Sequence, residues 1–407
     1  MVIIQNKTLI GGYIMADHSN KKNIALLGTS LPRECGIATF TQDLIDGFEH
    51  LRDFNKPRII AVNNGTAYSY NEQVIIQIEQ HNKAEYAKAA ISINHSDIDL
   101  LIVQHEFGIY GGESGEYLID FVENLRIPFI ITFHTVLKKP TTKQKYIMTR
   151  LGELSVKVIT MAQNTVMDLF AIYSIHSHKI EVIHHGVPEV QTQSREQIKA
   201  QYGYKDRRII STFGFLNPGK GIEYGIEAMQ QIVAQHPEAL YIVFGKTHPV
   251  VSQHSGEVYR DSLIHLVHKL NLNEHVLFVD KLLTQEEIIM SLVMSDIYMT
   301  PYLSEDQAVS GTLAYAVGYG RVIVSTPYQY AREMLSEGRG LLANFRDSDS
   351  LAMCILDLLN NPAKKQELET QTLKLGRTMM WGEIATLYAT QIRMLIHSSN
   401  YLTRSVI

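Results

Sequence analysis

Short aliphatic runs, each followed by a longer stretch with helical spacing, recur along this chain in two series and leave few folds open. "NIALLG", "RIIAV", "LLIVQHE", "FIITFH", "VKVITM" and "IEVIHHG" make the first series; "RIISTFG", "LYIVFG", "VLFVD", "IYMTPY" and "RVIVSTP", from Arg208 onward, make the second. Runs so uniformly apolar belong to strands covered on both faces, as in a parallel sheet between helical layers. Stretches such as Thr39 to Leu51 and Glu113 to Leu125 supply the helices. Between the series, "QTQSREQIKAQYGYKDRR" reads as a linker and a short helix. The expectation is an α/β protein of two similar halves, their parallel sheets facing across a cleft near residues 190–207.

Length agrees, because 407 residues exceed what one core usually organises. With 45% hydrophobic and 19% charged residues the chain has the profile of a compact protein. A net charge of -5, with no run of like charges, argues against nucleic acid as a partner. Cys35 and Cys354 lie in different halves and suit a reducing compartment better than a disulfide framework. The opening "MVIIQNKTLIGGYIMADHSNKKN" lacks the apolar core and cleavage site of a signal peptide, and no stretch reaches ~18 apolar residues. We therefore expect a cytoplasmic protein without a transmembrane segment, preceded by a loosely ordered leader over residues 1–21. Peripheral membrane contact through a few exposed apolar residues is left open, as is the oligomeric state.

In open sheets of this kind ligands gather beyond the carboxyl ends of the strands, so the loops there are where chemistry is to be sought. "GTSLPRECGIATFTQDL" ends one strand and opens a helix; its free amides suit an anion, and Gly36 lets backbone approach a phosphate closely. "GFLNPGKG" matches G-x-x-x-x-G-K-S/T at Gly214, Gly219 and Lys220, but its last position is Gly221, with no hydroxyl for magnesium. The following strand, "LYIVFG", ends in Gly245 and Lys246 and supplies no acidic partner either. What remains is a turn that aims one lysine at a diphosphate, set against a plain Pro-Gly turn before an amphipathic helix. In "SEDQAVSGTLAYAVGYG" a helix starting near Ser310 would present the amides of Ser310, Gly311 and Thr312 as a second anion cradle.

His105, His134, His184 and His185 all fall at strand ends, although a lone histidine there is as often a satisfied core residue. The sequence has no H-E-x-x-H or paired C-x-x-C, and neighbouring His184 and His185 would point to opposite sides of a strand, so no metal site is expected. Asp97/Asp99 and Asp347/Asp349 imitate a metal-anchoring D-x-D, but the first pair precedes its strand and the second suits a helix N-cap.

Taken together, "LPRECGIATFTQDL", "TFHT", "VIHHGV", "GFLNPGKGIEYGIEAM", "VLFVDKLLTQEEIIMSLVMSDIYMTPYLSE" and "SGTLAYAVGYGRVIVSTPY" resemble the family 4 glycosyltransferases, over roughly residues 24 to 397. These are retaining enzymes of GT-B architecture, with two Rossmann-like domains. The resemblance implies an N-terminal acceptor-side domain over 22–195 and a nucleotide-sugar-binding domain over 205–378. "MMWGEIATLYATQI" looks like the helix, 379–397, that crosses back onto the first domain.

The implied reaction is transfer of a hexose from a nucleoside-diphosphate sugar of GDP-mannose or UDP-glucose type, mannose slightly preferred, to a saccharide or other hydroxyl. No cofactor or protein-held metal is implied. By position Lys220 would hold the donor diphosphate, with amides from Ser310, Gly311 and Thr312, and Gly214 and Gly36 close by. His134 would stand beside the reacting sugar. The family's G-R-L has Phe215 where arginine is usual, so Arg33 or Lys246 must supply that charge. Its E-x7-E falls on Gln307 and Tyr315, or, with a gap of two residues, puts Glu305 in the sugar-binding place. Gln307 hydrogen-bonds hydroxyls but does not offset positive charge, and Tyr315 would meet the ribose. His105, Glu106 and Glu113 are candidates for the acceptor side. These departures motivate the rival reading of a catalytically inactive nucleotide-sugar-binding protein.

Overall fold

The computed structural model describes residues 21–247 and 249–404; apart from Lys21, the expected leader lies outside them. Seven strands form the first sheet: β1 (Ile24–Gly28), β2 (Arg58–Asn63), β3 (Val74–Glu79), β4 (Leu100–His105), β5 (Phe129–Phe133), β6 (Lys157–Thr160) and β7 (Ile180–Val182). All pair in parallel, in the order β3-β2-β1-β4-β5-β6-β7. The second sheet holds β8 (Arg208–Phe213), β9 (Ala239–Phe244), β10 (Val276–Val279), β11 (Ile297–Thr300), β12 (Ile323–Ser325) and β13 (Leu341–Leu342), in the order β10-β9-β8-β11-β12-β13.

The uniform apolarity of the strands has the expected cause. Along β1, Ala25 and Leu27 enter one buried cluster while Ile24 and Leu26 enter another on the opposite face. Along β8, Ile209 and Ile210 divide in the same way. Alternate side chains point to opposite faces, and each face is roofed by helices, so every position is worth about 1.5–3 kcal/mol of burial. Helix bounds differ by a few residues from those that periodicity alone suggests. The first runs Gly36–Gly47, and the stretch from Glu113 resolves into a turn followed by the Tyr117–Asn124 helix.

The last helix, Trp381–Arg404, lies on the first domain although the chain reaches it from the second. A Cβ on Gly186 would sit 2.2 Å from the Trp381 ring and one on Gly47 2.6 Å from the Trp381 carbonyl oxygen, so both must be glycine for the helix to seat. Tyr388 Oη and Thr132 Oγ1 are 2.9 Å apart, and Arg393 holds Asp53 through two 2.8 Å bonds that keep this carboxyl well below the usual range. Elsewhere the Glu333 carboxylate accepts from the Gln163 and Asn164 amides at 2.7 and 2.9 Å, tying the domains at a second point. No helix among the described residues is long and apolar enough to cross a membrane.

In both sheets the strand order reverses between two neighbours, β1/β4 and β8/β11. Outside the carboxyl ends at such a reversal, adjacent loops part and leave a crevice.

Candidate functional site

The crevice beyond β8 is floored by glycine. Gly214 and Gly245 sit at φ +128 and +134, and a Cβ on Gly245 would lie 2.1 Å from the Gly214 carbonyl oxygen. Next along the chain, Asn217 caps a tight turn over Pro218–Lys220, its side chain accepting from the Gly219 amide at 2.9 Å. Gly221 closes that turn at φ +60, where a Cβ would meet the Pro301 carbonyl oxygen at 2.2 Å, and the Leu303 amide donates to Gly219 O at 2.9 Å. The loop after β8 is thus stitched to the loop after β11. Its lysine is set by that stitching: Lys220 Nζ stands 3.7 Å from the centroid of the Tyr302 ring.

Tyr302 passes the connection on, its hydroxyl lying 2.8 Å from Thr312 Oγ1. Thr312 opens the Gly311–Gly318 helix, whose N-cap is Ser310; the Ser310 hydroxyl accepts from the Leu313 amide. Ser310 is buried and spends its side chain on the cap, leaving the Gly311 and Thr312 amides as the open end of the helix. Across the crevice, the Gly36–Gly47 helix begins after Cys35, which supplies no side-chain cap. A Cβ on Gly36 would meet nothing within 4 Å, because the space it would enter is the cleft. Two helix ends, one without a side-chain cap and one with its first two amides left open, therefore face one volume, each with partial positive charge.

That volume is about 280 Å³. Gly36, Thr39, Phe40 and Asp43, one face of the first helix, form its first-domain wall. Phe213, Phe215, Phe244, Leu282, Leu283 and Ile288 line the opposite side, together with Tyr315 and Lys246. An anion-attracting end and an apolar end in one slot fit a molecule that carries phosphate and a flat ring.

Comparison with known proteins agrees. Residues 194–375 match the family described as Glycosyl transferases group 1. The match falls in the second half of the chain and is a likeness to a group 1 glycosyltransferase domain. Spore coat protein SA of Bacillus subtilis (strain 168) is 23% identical over 181 residues; the match spans 43% of this chain and 46% of that protein. A glycosyltransferase from Rickettsia africae ESF-5 superposes with a TM-score of 0.72 at 17% identity, over 93% of this chain and 99% of the other. HepE of Anabaena, in complex with UDP, gives 0.71 at 16% identity, over 91% and 100%. The described chain thus has the GT-B fold, and the family match falls within its second half.

Against this domain the first half presents its histidines, and they divide sharply. His105 is fully buried, with neither ring nitrogen bonded; it stacks on Tyr110 and meets Phe107 and Phe133 edge-on. Burial pushes it down to about 3, so it is a neutral core ring and not an acceptor contact, correcting that expectation. His134 is partly buried, its Nε2 2.7 Å from Gln104 Oε1 and its ring edge-on to Phe40 at 4.7 Å. Burial first, then nearby His185 and His105, bring it to about 3, so it acts as neutral imidazole. Phe40 stands between it and the 280 Å³ volume.

His185 lines the cleft itself. Its Nδ1 lies 2.7 Å from the Gly186 carbonyl oxygen, which only accepts; Nδ1 therefore carries the proton and Nε2 is left as an acceptor. That Nε2 would be 3.4 Å from a Cβ on Gly311. The "VIHHGV" stretch signalled this residue, but nothing in the sequence ranked it above His184, whose Nδ1 lies 3.1 Å from Met161 O.

Neither carboxamide nor carboxylate of the loop before Ser310 lines the cleft. Gln307 turns its Nε2 to the Val309 carbonyl oxygen at 3.1 Å, and Glu305 is exposed. Glu106, just beyond the carboxyl end of β4, is held by the Phe107 amide and the Thr135 hydroxyl, with burial raising its pKa, while Glu113 is exposed. Arg33 is committed to Val62 O at 2.9 Å and to Gln80, so of the two proposed substitutes for the missing arginine only Lys246 faces the cleft. Asp97 pairs with Arg58, Asp99 accepts from the Asn23 amide, and Asp347 caps the helix beginning at Ser348. Asp43 and the Lys281–Leu283 segment, which sequence reasoning missed, enter the site only because the two domains are apposed.

Proposed function

We propose that this protein moves a hexose from a nucleoside-diphosphate sugar to an acceptor hydroxyl with retention of configuration. The observation that carries the reading is that one side chain, Tyr302, holds both Lys220 and the Gly311–Thr312 helix end, with the Gly36 helix end across the cleft from them. In the reaction the bond from the anomeric carbon to the diphosphate breaks, the bond to the acceptor oxygen forms, and the hydroxyl proton passes to the departing phosphate oxygen. Charge grows on the diphosphate as this happens, and donors already aimed there lower the barrier without reorganising. Lys246 supplies the second cationic charge. Neutral His134 offers a hydrogen bond to a sugar hydroxyl at the mouth beyond Phe40. The apolar wall suits the base, and HepE, of the same fold, is described with UDP-glucose; UDP-glucose and GDP-mannose are the donors to try first.

Purified protein incubated with each donor, with and without oligosaccharide acceptors, should release nucleoside diphosphate at a rate that rises with acceptor. A second reading, a nucleotide-sugar binder without turnover, is favoured by one feature: Gln307 is folded back on its own loop and Glu305 is exposed outside the cleft lining. Saturable binding with no release under any acceptor would select it.

A further inference from the structure

Among the described residues the cleft lining contains one carboxylate. Asp43 projects from the Gly36–Gly47 helix, a turn beyond Thr39 and Phe40, into a wall that is otherwise aromatic, aliphatic, hydroxylic or cationic. The second domain comes up to meet it. Gln285 Nε2 lies 3.3 Å from both carboxylate oxygens and 3.4 Å from the Tyr315 hydroxyl. That long contact, together with the nearby Trp381 side chain, leaves most of the lone pairs of the carboxylate unused, in a place where burial makes an unmet acceptor costly.

A nucleoside diphosphate in this cleft presents three chemistries. Its diphosphate requires donors, which the helix ends and lysines provide. Its base requires apolar surface, which the Phe213, Phe244 and Leu283 wall provides. Its ribose carries a vicinal diol: two O–H groups that require an acceptor and lie between the other two parts. Of the cleft residues only Asp43 answers that need with charge, and hydroxyl-to-carboxylate bonds are the short, strong kind.

We propose that Asp43 is the ribose-recognising residue, gripping the 2′,3′-diol from the first domain while the diphosphate is held by the second. This rests on the function proposed above and extends it. Because the carboxylate and the diphosphate donors belong to different domains, the nucleotide bridges them, and the Asp43–Gln285–Tyr315 cluster marks where they close.

The test is calorimetric titration of the full chain with UDP and GDP and with the 2′,3′-dideoxy form of each. Wild type should prefer the diol-bearing nucleotide by about tenfold or more, the range of a hydrogen bond to a charged group. Asp43→Ala and the isosteric Asp43→Asn should bring that ratio within about threefold while leaving affinity for the dideoxy nucleotides unchanged, an outcome that mere loss of packing would not give. Equal affinities for both forms in wild type, or a ratio that survives both substitutions, would overturn the assignment and leave the proposed function standing. Failure of every nucleoside diphosphate to bind would overturn both.

Discussion

Lys220 stands over the Tyr302 ring at 3.7 Å, and the hydroxyl of that same ring is 2.8 Å from Thr312 Oγ1, so the lysine and the helix start are held by one side chain. The two anion-binding elements are therefore positioned together and not by separate accidents of their loops. Lys220→Ala should lower kcat by about 10²- to 10³-fold with little change in melting temperature, because the ammonium group is half-buried on a turn whose backbone bonds do not involve it. Tyr302→Phe keeps the ring and removes the link, and should cost about three- to tenfold. Initial rates with saturating donor, alongside thermal melts, check both.

Gly221→Ser would complete the phosphate-loop pattern on paper. The structure predicts a loss instead: at φ +60, with Pro301 O 2.2 Å from any added Cβ, the substitution should destabilise by about 2–4 kcal/mol. Denaturant unfolding measures this, and no ATP hydrolysis should appear.

Asp43 carries a pH signature. Burial, aided by Asp46 and opposed by the side chains of Gln285 and Trp381, raises it from 3.8 to about 6. An acid whose folded pKa is raised is most favourable when protonated, so its contribution to stability is complete below about pH 4 and lost as pH rises through about 6. The loss amounts to about 3 kcal/mol. Asp43→Asn should flatten this slope and melt above wild type near neutral pH, while binding nucleotide less well. Melts across pH 4–8 decide the matter.

Glu333→Ala removes the acceptor that ties the Gln163 and Asn164 amides to the second domain. We expect a loss of about 1–2 kcal/mol and a larger radius of gyration for the nucleotide-free protein in X-ray scattering, with nucleotide restoring the wild-type value.

The sequence exposed eleven of the thirteen described strands and hid one edge of each sheet. β3 and β13 were not anticipated: β3 alternates half-buried and exposed positions as an edge strand does, and β13 is only two residues long. Uniform apolarity marks strands roofed on both faces, and those at the margin lack it. Local signals likewise revealed Lys220, Gly311 and Gly36, since glycine turns and helix starts are written in consecutive residues. Asp43 and Leu283 carry no such mark, and His185 none that sets it above His184, because their role arises from packing between segments far apart in the chain. His105 misled for the converse reason: the end of a strand may lie in the core as readily as in the cleft.

A crystal structure of the protein with UDP or GDP bound tests the account most directly. The diphosphate should lie within hydrogen-bonding distance of Lys220 Nζ and of the Gly311 and Thr312 amides, with the base against Phe244 and Leu283. A nucleotide whose phosphates rest elsewhere, with Lys220 still seated on Tyr302 and the helix end untouched, would contradict it.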